Sequence, residues 1–314
     1  MPQNIIEKTR EESVKQLFKP SNKFITSWAS WQGVVRSLAP LPNPTPRQII
    51  DLGDHLHDIF YTTADGRGQS EVAAGGANWE ALVCWYLNLC NIGRRTVVIK
   101  HSKELLPKPI SDAITVNYAN TASNSESDLI AITFPNLPEY TIDKDNININ
   151  DENGHPVVIN HRGSMGYNLL EVLNALVARD FAQIEIHVIQ CKTNWRDNAQ
   201  IPMLWDMIYQ AGNFRANITV GQNNYSTQAA RLFTYAFATV PTGTNDYSPN
   251  KMPVCRVRGL SGGNYWGLPS STGVASSIKE MLSRNLNNGS TTNHITSLAA
   301  ELPSLTTIYS YFNY

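Results

Sequence analysis

Gln190 and Lys192 close the apolar run Glu185-Ile186-His187-Val188-Ile189-Gln190-Cys191-Lys192. In a strand, residues i and i+2 share a face, so these two side chains project together and Cys191 points the other way. Paired polar groups at the tip of an apolar strand cost desolvation unless they have a partner or a task. Upstream, Ser125-Glu126-Ser127-Asp128 leads into Leu129-Ile130-Ala131-Ile132-Thr133-Phe134, a second apolar run opened by an acid. An acid opening one strand and an amide and a lysine closing another would suit phosphodiester hydrolysis. In that chemistry carboxylates hold Mg²⁺, which lowers the pKa of water and stabilises the leaving oxygen. A lysine beside the metal orients or deprotonates the water. Asp128 and Lys192 fill these roles, and Gln190 offers the metal an amide oxygen.

One carboxylate and one amide make a weak site, so a second acid is expected. Glu80 lies in the predicted helix Ala77–Cys90, with Val83, Cys84 and Leu87 at its i+3, i+4 and i+7 positions. A charge on such a face is ligating or paired, for example with Arg94 or Arg95. Asp206 lies fourteen positions after Lys192, on the predicted helix Ile201–Phe214. Glu185 and His187 project from the other face of their strand and read as packing or hydrogen-bonding residues.

An acid opening one strand and Q-x-K closing another resembles the PD-(D/E)xK nuclease superfamily, with glutamine at a position usually held by Asp or Glu. The pattern Glu80, Asp128, Lys192, Asp206 is similar to the subgroup of type II restriction endonucleases that cut CCGG-centred sites. There the helix after the lysine strand supplies the displaced carboxylate, usually Glu, and an N-terminal helix supplies a further glutamate. The subgroup's base-reading R-x-D-R run corresponds here to Arg196-Asp197-Asn198-Ala199, of which only Arg196 matches. The CCGG target is therefore not carried over. The resemblance covers about residues 75–212. It implies an α/β fold with a mixed central sheet flanked by helices, Mg²⁺-dependent cleavage of double-stranded DNA leaving 5′-phosphates, and a cognate DNA methyltransferase in the same system. A homodimer is expected because two-fold symmetry suits cutting both strands of a palindrome.

The chain has 314 residues, 42% hydrophobic and 16% charged, with a net charge of −1. That is ample for one large elaborated domain and excludes a disordered polycation. A local basic cleft is enough to bind DNA. The four cysteines, Cys84, Cys90, Cys191 and Cys255, form no CxxC pair, which argues against zinc or a disulfide framework. Met1–Pro20 is polar and charged, unlike a secretory signal, and no apolar run approaches the roughly 20 residues of a bilayer span. A cytoplasmic protein of a bacterium or archaeon is expected.

Patterning predicts helices at Ile5–Phe18, Gln48–Tyr61, Ala77–Cys90, Tyr167–Ala178, Ile201–Phe214 and Val274–Leu286. Strands are expected at Arg95–Lys100, Asp128–Phe134 and Gln183–Lys192, and an element of unassigned type at Gln228–Val240. A hairpin is expected in Thr141–Asn160, and loops at Thr62–Gly76 and Gly259–Gly267. The whole chain, 1–314, reads as one elaborated domain, with a catalytic core at 75–212 and a recognition or dimerisation region at 213–314. DNA contacts are assigned to Asn194, Trp195 and Arg196 after the lysine strand, to Arg162 in a basic turn, and to Arg256 and Arg258 in a possible strand. Asn264-Tyr265-Trp266 reads as a polar-aromatic loop. Arg and Asn are the usual base readers. The rival readings are a repair or structure-specific nuclease on the same core, and a non-catalytic DNA-binding protein.

Overall fold

The computed structural model describes residues 3–62, 69–119, 121–123, 127–160, 166–193, 218–240, 248–259 and 262–314. It is an α/β fold around a mixed six-stranded sheet flanked by helices. The sheet begins at the edge strand β1 (Thr96–Lys100) and passes through β4 (Leu129–Thr133), β5 (Glu185–Lys192), β7 (Leu232–Thr239), β8 (Asn264–Trp266) and β9 (Ser276–Ser277). β1, β4 and β5 pair antiparallel; β5, β7, β8 and β9 pair parallel. A small separate sheet joins β2 (Val116–Tyr118), β3 (Thr121–Ser123) and β6 (Ile218–Val220).

The central strands are buried on both faces, as their continuous apolar runs demand. Leu129, Ala131, Ile189 and Cys191 face α5 (Gln69–Cys90), with α2 (Phe24–Leu38) behind it. Ile130, Ile132, Ile186 and Val188 face α7 (Leu169–Asp180) and α6 (Lys108–Ile114). The exposed edge of β1 is satisfied by side chains instead of another strand. On α1 (Ile5–Leu17), Arg10 donates to the carbonyls of Arg94 and Thr96, and Ser13 donates to that of Val98. Asn88 brackets Val98, accepting from its N–H at 3.0 Å and donating to its carbonyl at 2.6 Å. Such cover prevents edge-to-edge pairing with another chain.

The sheet continues beyond residue 212, since β7, β8 and β9 extend it. The last residues also enter the core. Trp85 Nε1 donates to the Phe312 carbonyl and Tyr314 Oη to that of Ala39. Next to the sheet, α10 (His294–Glu301) buries His294, whose Nε2 lies 3.3 Å from Asn91 Oδ1. Desolvation, then the neighbouring Arg94 charge, pushes its pKa down from 6.5 to about 3. Between these values the unfolded chain binds the extra proton, so stability is full above about pH 6.5 and declines as pH falls toward 3. Urea unfolding should thus show a lower midpoint at pH 5 than at pH 7. His294→Gln should flatten that difference, and an equal slope in the variant would refute the assignment.

Several elements differ from expectation. The helix predicted at Gln48–Tyr61 is broken into α3 (Pro46–Asp51), a 3-10 turn at Leu52–Asp54 and α4 (Leu56–Tyr61). Gly53 sits at the break, where a Cβ would meet Tyr86 Oη and the Lys279 backbone within 3 Å. α5 starts at Gln69, inside the predicted loop. In place of a two-stranded hairpin, Thr141–Asn160 holds one 3-10 turn, Lys144–Asn146, and the isolated antiparallel bridge Asn150–Pro156, flanked by hydrogen bonds from the Asp151 N–H to the His155 carbonyl and from the Val157 N–H to the Ile149 carbonyl. Val274–Leu286 divides into β9 and the short α9 (Lys279–Arg284); Ile201–Phe214 lies outside the described residues. No helix among the described residues is long and apolar enough to cross a membrane.

Candidate active site

Antiparallel register places Leu129 opposite Ile189, so Asp128, just before β4, meets the tip of β5. Its Oδ2 accepts from Gln190 Nε2 at 2.6 Å and from the Cys191 N–H at 2.8 Å. Gln190 is buried, and its Oε1 lies 3.4 Å from the Tyr235 hydroxyl, which donates to it. The amide therefore bridges Asp128 to β7. This gives the glutamine a local physical reason, since a glutamate here would press a second carboxylate against Asp128. It also modifies the expected metal-ligand role of Gln190: its nitrogen faces the aspartate, and its oxygen faces a hydroxyl.

Lys192 ends β5, half-buried, on the same face as Gln190. Its carbonyl is held by the Val240 N–H. Among the described residues no ion pair engages its ammonium. Cys191 points to the α5 side, as strand alternation requires. Its thiol pKa is raised well above the ordinary value, first by desolvation, then by Asp128 and Glu80, with Lys100 opposing. Asp128 accepts from the Cys191 N–H, and Lys100, opposite Leu129 in the register, pairs with Glu80, so all three lie at the same end of the sheet.

Glu80 reaches this end from α5. Its Oε2 pairs with Lys100 Nζ at 3.0 Å, replacing the expected partners Arg94 and Arg95, which lie at the other end of β1. Lys100 also donates to the Ala77 carbonyl at 3.0 Å. Lys100 is the site residue that sequence reasoning missed. The signal was a lysine closing a predicted strand, as Lys192 does, but its pairing with an acid twenty positions away is not local. His101 is the next residue; its N–H donates to the Asp128 carbonyl, and its Nδ1 lies 3.1 Å from the Ser127 carbonyl.

Among the described residues no group of three or more His, Cys, Asp and Glu is placed to hold a metal. Asp128 and Glu80 still match the donor chemistry of Mg²⁺, which commonly takes one or two carboxylates and completes its shell with water and phosphate oxygens. Asp206, Asn194, Trp195, Arg196 and Arg162 lie outside the described residues.

Arg256 and Arg258 are not on a strand. They occupy the helix α8 (Met252–Gly259), where Pro253 suits the first turn and Val254 and Val257 bury at helical spacing. Arg258 donates to the Gly273 carbonyl. Asn264-Tyr265-Trp266 is the buried strand β8, not a loop; Trp266 Nε1 donates to the Pro269 carbonyl. His187 and Glu185 lie at the far end of β5, buried, with Thr234 on His187 Nδ1 and Asn288 on the Glu185 carboxylate. No family model matches this chain, and neither curated proteins nor solved structures gave a match.

Proposed function

We propose that this chain is a Mg²⁺-dependent, site-specific endonuclease of double-stranded DNA, of type II restriction type, acting as a homodimer beside a cognate methyltransferase. The observation that carries the reading is the meeting of Asp128 with the Gln190–Lys192 strand tip at one end of adjacent strands, with Glu80 at the same end on the α5 side, the side to which Cys191 points. Asp128 and Glu80 would hold the metal, with Asp206 the alternative second carboxylate. The ion would supply charge neutralisation on the scissile phosphate and a more acidic water. Lys192 would orient the attacking water and stabilise negative charge through its ammonium. Gln190 would fix the Asp128 carboxylate from the side, and Lys100 would hold Glu80 until phosphate and metal compete for it. Base reading would fall to Asn194, Trp195, Arg196, Arg162, Arg256 and Arg258.

One observation favours a second reading, a non-catalytic DNA-binding protein: Gln190 and the Cys191 N–H already engage Asp128 Oδ2 without any ion. Incubation of the pure protein with a sequenced plasmid and Mg²⁺ separates the two. Discrete fragments are expected. Binding without cleavage under Mg²⁺ or Mn²⁺ would favour the second reading, and smears or junction-dependent cuts would favour a repair nuclease.

A further inference from the structure

A cavity of about 620 Å³ opens where β1 begins, between the first turn of α1 and the C-terminal segment. It lies five residues along β1 from Lys100, roughly 17 Å at the usual strand rise, and so at the opposite end of the sheet from Asp128. Its volume is in the range of small-molecule sites. Its walls include Glu7, Arg94, Arg95, Glu301, Tyr309 and Tyr311.

Two buried donors in this wall have no acceptor. Arg94 is 2% exposed. Its Nη1 donates to the Thr292 carbonyl and Ser297 Oγ, and its Nη2 to the Asn287 carbonyl, but its Nε meets nothing. Among the described residues no carboxylate pairs with it, and desolvation, with Arg95 and Arg10 nearby, lowers its pKa to about 10. The second orphan is the Tyr311 hydroxyl. Buried polar groups in native proteins nearly always find partners, and a buried cation without a counter-ion is costly. Arg95 adds a second guanidinium, tied through Nε to the Phe134 carbonyl and through Nη2 to that of Asn288.

The acids of the wall do not neutralise these groups. Glu7 is engaged by Arg10 and the Gly93 N–H, and Glu301 accepts from Tyr309 at 2.7 Å. Their remaining acceptor capacity suits hydroxyl or amino donors on a ligand body. Two guanidiniums beside a hydroxyl without an acceptor make a donor set that takes a tetrahedral anion.

We propose that this cavity binds a small organic phosphate, its phosphate received by Arg94, Arg95 and the Tyr311 hydroxyl and its body facing Glu301 and Glu7. The site is independent of the nuclease reading.

AMP, inorganic phosphate and adenosine are the probes, titrated calorimetrically into the full chain. AMP should bind one to one, phosphate more weakly and adenosine not at all. Tyr311→Phe removes no hydrogen bond present in the structure, so the fold should persist while AMP affinity falls about tenfold, the loss of one hydrogen bond to a charged group. Lys192→Ala, at the other sheet end, should bind AMP as the native chain does. Absence of AMP and phosphate binding at millimolar concentration would overturn the site. So would AMP binding that survives Tyr311→Phe unchanged or is lost in Lys192→Ala.

Discussion

Lys192→Ala is expected to abolish DNA cleavage, by roughly a thousandfold or more, while leaving folding and DNA binding largely intact. The loss scale is that of removing a transition-state charge stabiliser together with its proton-handling role. Folding should survive because no ion pair among the described residues depends on the ammonium, and the strand is held by its backbone, including the Val240 N–H on the Lys192 carbonyl. Asp128→Asn should cost as much, although the asparagine can still meet Gln190 and the Cys191 N–H. A fall in rate with an unchanged melting temperature distinguishes a chemical role from a structural pin. Glu80→Ala and Asp206→Ala then identify the second carboxylate: the variant whose Mg²⁺ requirement shifts to higher concentration is the ligand, and the one that leaves rate and metal dependence unchanged is not.

The largest expected effect on stability is that of Trp85→Ala, about 3–5 kcal/mol. Trp85 is fully buried, its ring centroid is 4.5 Å from that of Trp28, and it stacks on Tyr314 at 6.2 Å. Truncation leaves a cavity and strips the Phe312 carbonyl of its donor. Against a typical total of about 5–15 kcal/mol, this is a large fraction. Trp85 shares α5 with Glu80 and with Trp79, whose Nε1 holds the Ala238 carbonyl of β7. On the proposed function, loosening this helix should also weaken Mg²⁺-dependent cleavage through Glu80. Denaturant titration of Trp85→Ala beside Trp85→Phe checks this. A loss below about 1 kcal/mol in the alanine variant would show that α5 is not anchored as described.

The part of the fold that positions Asp128 and Lys192 is legible in the sequence, because both strands are continuous apolar runs ending in polar residues. α2 carries an equally plain signal, with Phe24, Trp28, Trp31 and Val35 on one helical face, although it is not among the helices that patterning predicts. The misreading of Arg256 and Arg258 has a definite cause. Two arginines spaced by two suggest a strand, but the decisive spacing is that of Val254 and Val257, which share a helical face. Nothing local announces that Lys100 holds Glu80, that Gln190 donates to Asp128, or that Arg94 lies buried with no counter-ion among the described residues. Each depends on register and packing between distant segments, and the orphan donors of the cavity show only once those segments are assembled.

The most direct measurement is the mapping of cleaved ends. A sequenced plasmid is incubated with the native chain and Mg²⁺, and both termini of every fragment are read, with Asp128→Asn in parallel. The account predicts a single repeated sequence at every cut, 5′-phosphate termini, and no fragments from the variant. Intact plasmid with the native protein under Mg²⁺ and Mn²⁺, or cleavage that persists unchanged in Asp128→Asn, would contradict it.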